Sequence, residues 1–218
     1  PERGKATAPV WIVGPQIGAV IHQLGSSETY LHSTGVKAKR FDFIDAWFPY
    51  CYDGSTVSDH RRWFDHWLKG IDNGVADEPP VRIQLRTGNG GYRLIEEQTW
   101  PIEGTEYRRW YLDATPSEWQ GDGRRTDLMR VVDAPPASAA SASYSAEVEL
   151  GQPMLSPMGP VGGPPRWSTG ISFVSEPIAE DMAVIGYMKA GLWVSASAAD
   201  MDVFVSVRVL DKDGREIR

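Results

Sequence analysis

Ser55 to Gly74, STVSDHRRWFDHWLKGIDNG, reads as one amphipathic helix with both ends marked, and the chain changes character across it. Ser55 is suited to cap the N-terminus and Asp59 to face the positive first turns. Lys69 suits the negative end, and Gly70 can take the positive φ that closes a helix. Val57, Phe64, Trp67 and Leu68 fall on one stripe at helical spacing, with Arg61, Arg62, Asp65 and Lys69 mostly off it. Phe64, Trp67 and Leu68 are therefore expected to hold this helix on a sheet. His60 and His66, six apart, share no face well, so they are not expected to form a metal pair.

Before the helix the pattern is α/β. Pro9 to Gly14, PVWIVG, is a short continuous apolar run between Pro and Gly, the mark of a parallel strand buried on both faces. His22 to Gly35 follows as a crossover helix, weakened by Gly25 and its serines. Lys39 to Ile44, KRFDFI, alternates as a second strand, and the loop Asp45 to Gly54 leads into the helix. After it, Asn73-Gly74 signals a turn, and Pro79-Pro80 blocks helix and forces an extended entry. Strands are then expected at Val81 to Thr87, Tyr92 to Glu96, Tyr107 to Leu112, Tyr144 to Leu150, Ile171 to Val174, Ala183 to Ser197 and Asp202 to Leu210. Ala190 to Ala196 and Asp202 to Leu210 are expected to form a hairpin, with a turn at Lys212-Asp213-Gly214. The fold class is thus α/β followed by all-β. Residues 1–74 would be the end of an α/β domain, 75–80 a linker, and 81–218 a β-sandwich of jelly-roll type. Asp133 to Ser143 and Met154 to Arg166 read as irregular loops, the second suited to line a site.

Composition narrows the function. The 218 residues carry 22 Lys+Arg against 29 Asp+Glu, a net charge of -7, with the basic residues scattered. Neither nucleic acid nor an anionic membrane surface is the expected partner; a small neutral or cationic molecule is. No apolar run approaches the ~20 residues of a membrane span and no signal-peptide pattern opens the chain, so a soluble protein is expected, with the cytoplasm as the default compartment. One cysteine, Cys51, excludes an intramolecular disulfide framework; it is expected to act as a small buried hydrophobe. No Cys/His cluster has zinc spacing, and no metal or cofactor is expected. GNGGY at Gly88 to Tyr92 lacks the Lys-Ser/Thr of a phosphate loop. Because the chain opens without Met close to a strand and stops just after a strand and its turn, it is expected to be an internal piece of a longer polypeptide.

WFDHWLKGIDNGVADEPPVR, with Trp100-Pro101, WYLD at Trp110 to Asp113, and FVSEPIAEDMAVIGYMKAGLWVSASAADMDVFVSVRVLDKDGRE, resembles the cocaine-esterase-like (CocE/NonD) hydrolases that end in an X-Pro dipeptidyl-peptidase C-terminal domain. The resemblance implies an α/β-hydrolase domain ending near Gly70, a jelly roll packed on it, and a serine that is acylated and then hydrolysed, acting on an ester or amide. It also places the serine elbow upstream of Pro1, so the N-terminal part of the same protein becomes a partner, and pairing into a homodimer is compatible with it. The family's acid position corresponds to Gln16, Ile17 and Gly18, and no carboxylate lies between Gly4 and Ser27. The family's histidine position corresponds to Asp45 and Ala46. Two readings stay open. His22 and Asp45 have traded places and still form an imidazole fixed by a carboxylate, or both are structural and the protein has kept only a pocket. Trp47, Phe48, Tyr50 and Tyr52, directly after the strand that ends at the family's active site, either wall a substrate pocket or pack in the core.

Overall fold

The computed structural model describes residues 3–17, 23–88, 91–120, 127–145, 170–203 and 205–215. The described residues up to Thr105 form one compact unit and those from Glu106 onward another.

The first unit is a four-stranded sheet in the order β1 (Val10–Ile17), β2 (Lys39–Ala46), β3 (Val81–Gly88), β4 (Gly91–Glu97). The first three strands run parallel and β4 returns antiparallel to β3. Between β1 and β2 the chain crosses over through α1 (Gln23–His32), and between β2 and β3 it passes through α2 (Trp47–Tyr52) and α3 (Gly54–Lys69). The parallel β-α-β-α order anticipated from the periodicity is present. One expectation needs correction: β1 is an edge strand, so most of PVWIVG is only half-buried, and the doubly covered strand is β2, with Phe41 and Ile44 almost fully buried. A continuous apolar run specifies burial but not position within the sheet.

Alternation along β2 sends its side chains to two different layers. On one face Tyr30 of α1 stacks on Phe41 with ring centroids 5.5 Å apart, and Trp100 meets Phe41 edge-on at the same distance. α1 lies close because Gly14 faces it; a Cβ there would meet Phe43, Phe41 and Ser26 at 3.1–3.3 Å, and Ser26 Oγ donates to the Val13 carbonyl. On the other face α3 packs through Trp63, which is buried and sits 5.5 Å from Trp11.

Beneath α3 lies a charged layer. Arg40, 2% exposed, donates from Nε to Asp42 and from Nη1 to Glu78, and its guanidinium lies 4.2 Å over the Trp11 ring. Arg82 joins Glu78, Asp59 and Glu96, and Arg62 joins Glu78 and Asp59. Tyr50 donates its hydroxyl to Asp42, which carries the network up to α2. Burial pushes the Asp42 carboxyl above the usual carboxylate range despite Arg40, and burial followed by the Asp42 charge raises the Tyr50 hydroxyl far above its ordinary value.

The helix α3 begins two residues earlier than the sequence suggests. Asp53, not Ser55, is the N-cap, its carboxylate accepting from the Ser55 and Thr56 amides, while Gly70 at φ 71° closes the C-terminus as expected. Its buried side is also rotated from the expected stripe. Thr56 and Trp63 are buried, whereas Val57, Phe64 and Leu68 are 54%, 55% and 76% exposed. The reason is the charged layer, because Asp59 must face Arg40 and Arg82, and Arg62 must face Glu78, to pair, and that requirement turns the apolar stripe outward.

In the second unit β5 (Tyr111–Pro116) pairs antiparallel with β6 (Met129–Val132), which pairs parallel with β7 (Phe173–Ser175). Leu128 and Ser117 are buried where the Ser117 amide donates to the Leu128 carbonyl. The strand at Met129–Val132 was not anticipated, and the one expected at Tyr107 starts instead at Tyr111. The hairpin expected over 190–210 does not form: among its described residues only Leu210 makes a bridge, and Trp193, Val203, Val205, Val207 and Val209 are exposed. Alternating Val specifies one side of a strand but supplies neither the partner strand nor the cover that stabilises it. The terminal turn is present, with Gly214 at φ 76° donating to the Asp211 carbonyl. The expected strand at Tyr144 to Leu150 falls largely outside the described residues, as does the Met154 to Arg166 loop.

Candidate functional site

β1 and β2 run in register to their carboxyl ends, where Ile17 lies opposite Ala46. In parallel α/β sheets this is the edge at which ligands and catalytic groups collect, because the loops that follow the strands converge there. Asp45 is one residue from that end.

The backbone pairing of β2 with β3 stops at Phe43–Ile83. Beyond it, side chains replace the ladder. Gln84 accepts the Asp45 amide at 2.8 Å through Oε1, and its own carbonyl accepts from Gln16 Nε2 at 2.8 Å. Gln23, which opens α1, donates to the Gln16 carbonyl at 3.3 Å. Arg86 Nε stands 2.9 Å from Asp45 Oδ1, with both side chains partly exposed. The carboxylate at this edge is therefore in an ion pair, and a run of amides, Gln23, Gln16 and Gln84, ties the Asp45 backbone to the first turn of α1.

His22 immediately precedes that turn and lies outside the described residues, as does Gly18. Trp47 and Phe48 open α2 directly after Ala46, which puts their backbone at the same edge. Tyr50 and Tyr52 have unlike surroundings. Tyr50 is drawn into the charged layer by Asp42, and its ring stands 6.2 Å from His60, while Tyr52 is 81% exposed. Cys51 is half-buried and free, with burial raising its thiol, the direction that makes it a poorer nucleophile. His60 is packed edge-on against Trp11 at 4.6 Å, and His66 Nδ1 lies 3.0 Å from the Ile71 carbonyl, so each has a structural partner. His32 is exposed beside Glu28.

Arg86 and Gln84 were missed by the sequence reading, and Gln16 was named only as a position where the family's acid is absent. The signal was the even-numbered alternation Arg82, Gln84, Arg86 along β3, polar on one side and apolar at Val81 and Ile83 on the other, which marks a strand with polar partners to find.

The family description "X-Pro dipeptidyl-peptidase C-terminal non-catalytic domain" matches residues 73–218. The chain belongs to this family. The X-Pro dipeptidyl-peptidase C-terminal family match begins within the turn at Asn73-Gly74, and relatives extend the likeness upstream. Cocaine esterase of Rhodococcus sp. (strain MB1 Bresler) is 26% identical over 200 residues, covering 84% of this chain and 32% of that protein. A CocE/NonD family hydrolase from Staphylococcus aureus, 20% identical, shares the fold with a TM-score of 0.54 over 65% of this chain and 23% of its own. The chain spans between 24% and 32% of the length of the curated relatives it matches. The resemblance to the C-terminal portion of CocE/NonD hydrolases that the motifs carried thus holds. No helix among the described residues is long and apolar enough to cross a membrane.

Proposed function

We propose that this chain is the C-terminal part of a serine hydrolase that cleaves an ester or amide through an acyl-enzyme, with the nucleophile upstream of Pro1 and with His22 and Asp45 as the base and its orienting carboxylate. The observation that carries the reading is Asp45 at the carboxyl end of β2, joined through Gln84, Gln16 and Gln23 to the turn that follows His22. An imidazole needs a carboxylate on one ring nitrogen to fix its tautomer while the other reaches the serine, and either strand end can supply either group. Trp47 and Phe48, adjoining the same strand end, would then contact the acyl group. The names of the relatives, esterase and hydrolase, support the reaction class.

In this reading residues 1–74 close the hydrolase domain, 75–80 link, and 81–218 belong to a jelly roll. The family match beginning at residue 73 supports that boundary, with β3 and β4 also serving the first sheet. The test uses the full-length protein. His22→Ala and Asp45→Ala are each expected to slow turnover of an activated ester by roughly 10³–10⁴-fold, with labelling of the serine by a fluorophosphonate as the companion readout. Rates within a factor of two of the parent for both variants would remove the pair from the mechanism.

A second reading rests on Arg86. A carboxylate already paired with a guanidinium at 2.9 Å has less need of an imidazole, which favours a member that has exchanged hydrolysis for ligand or partner binding. Persistent silence toward the fluorophosphonate, with the protein folded, would select it.

A further inference from the structure

The sheet of the first unit ends on two strands, β1 and β4, and they end it differently. β1 carries Pro15 within it, which withholds a backbone donor from any neighbour. β4, GYRLIEE, has neither proline nor lysine, and it stays in unbroken register with β3 from Glu97 back to Tyr92. Its outer row of amides and carbonyls faces no other strand among the described residues. A straight edge of this kind is a template for another strand, and β4 lacks the devices that usually blunt one.

The side chains of β4 decide which strand fits. Arg93, Ile95 and Glu97 lie opposite Leu85, Ile83 and Val81 and share one face, while Tyr92, Leu94 and Glu96 share the other. Glu96 pairs with Arg82, but Arg93 and Glu97 have no hydrogen-bond or ion-pair partner among the described residues. Tyr92 and Leu94 are 52% and 51% exposed. Two copies of one strand pair antiparallel about a twofold axis normal to the sheet, which preserves the faces, so a residue stands opposite only residues of its own face. An axis through Arg93 sets arginine against arginine, and one through Glu96 or Glu97 sets glutamate against glutamate. Through Leu94 it leaves both copies of Arg93 without an anion opposite. Through Ile95 it places each Arg93 opposite Glu97 of the second copy, with Ile95 against Ile95 between the two ion pairs. The two Leu94 side chains then lie diagonal to one another on the other face, within the reach of cross-strand contact.

From this self-complementarity we infer that the outer edge of β4 is a contact between two copies of this chain, joining their sheets into one of eight strands, four from each copy, with Ile95 on the axis. The contact uses none of the residues at the Asp45 edge and does not depend on whether Asp45 is catalytic.

Analytical ultracentrifugation of the 218-residue chain at about 200 µM tests this, a concentration suited to an interface at the small end of the range. The parent is expected to sediment as a dimer. Arg93→Glu and Glu97→Arg each set like charges opposite one another, and each should weaken dimerisation roughly tenfold or more. Mixed in equal amounts, the two variants restore both opposite-charge pairs, so a heterodimer within about threefold of the parent's affinity is expected. A variant that had merely misfolded could not give that rescue. A parent that is monomeric at this concentration, single variants that dimerise as the parent does, or a mixture no tighter than its components would each overturn the inference.

Discussion

Arg40 shows how much one residue governs in this chain. It is a cation placed under a helix, and it is tolerable there because Asp42, Glu78 and the face of Trp11 surround it. Removing it strands the buried Asp42 carboxylate, while Glu78 keeps Arg62 and Arg82. Arg40→Met is therefore expected to destabilise the first unit by about 3–5 kcal/mol, the usual cost of breaking a buried pair, read by urea unfolding. Adding Asp42→Leu should recover much of that loss, since a matched apolar pair needs no compensation. If the single variant unfolds at the parent's midpoint, the charged layer is not what holds α3. Tyr50 belongs to the same unit of chemistry, which explains why an aromatic in a run that promised a pocket wall is instead a donor to Asp42.

At the scale of elements, α3 is defined by its ends. Hydrogen bonds from Ser55 first, then from the Thr56 and Ser55 amides, hold Asp53 below the usual carboxylate range. A carboxyl whose folded pKa is depressed contributes stability that is present above its unfolded pKa, about 4, and is lost as pH falls through the folded value. Asp53→Ala should accordingly lower the thermal midpoint at pH 7, and the gap to the parent should close as pH is taken below about 4. A gap that stays constant to pH 2 would show that the cap works through something other than its charge. The C-terminal end of α3 was legible because Gly70 has few other uses, whereas the N-cap was read at Ser55 and lies at Asp53. Which side of the helix is buried was not legible. Val57, Phe64 and Leu68 form the better apolar stripe, and only the pairing of Asp59 with Arg82 and of Arg62 with Glu78, residues beyond the helix, decides against it. The site divides the same way. Asp45 could be found from its place after a strand, while Arg86 and Gln84 reach it across a gap in a ladder whose register no local pattern encodes.

On the scale of the whole molecule, the two units differ in how they are satisfied. Phe41 donates its amide to the Pro80 carbonyl at 2.8 Å inside a covered sheet, while the described residues around Trp193 and Val205 form no strand and the side chains of Trp193 and Val205 are exposed. In the 218-residue chain the amides of Phe41 and Ile83 are expected to exchange with solvent roughly 10³-fold or more slowly than those of Trp193 and Val205, the spread between globally and locally protected sites. In a longer chain that completes the proposed jelly roll, protection of Val203 to Val209 would narrow that spread, and hydrogen-exchange mass spectrometry distinguishes the two. Equal, slow exchange at all four positions in the short chain would mean that the 183–210 segment finds its own partners.

The parallel pairing of β2 with β3 has a practical meaning for anyone recombining such proteins. Pro79-Pro80 looks like a natural joint, yet a chimera spliced there would ask a foreign strand to complete the sheet beside Phe41 and to supply, from its own side chains, a substitute for Arg82 under α3. A splice after Thr105 would carry β3, β4 and Trp100 along with the residues they cover. The sequence joint and the mechanical joint of this chain lie some twenty-five residues apart, and only the second is a place to cut.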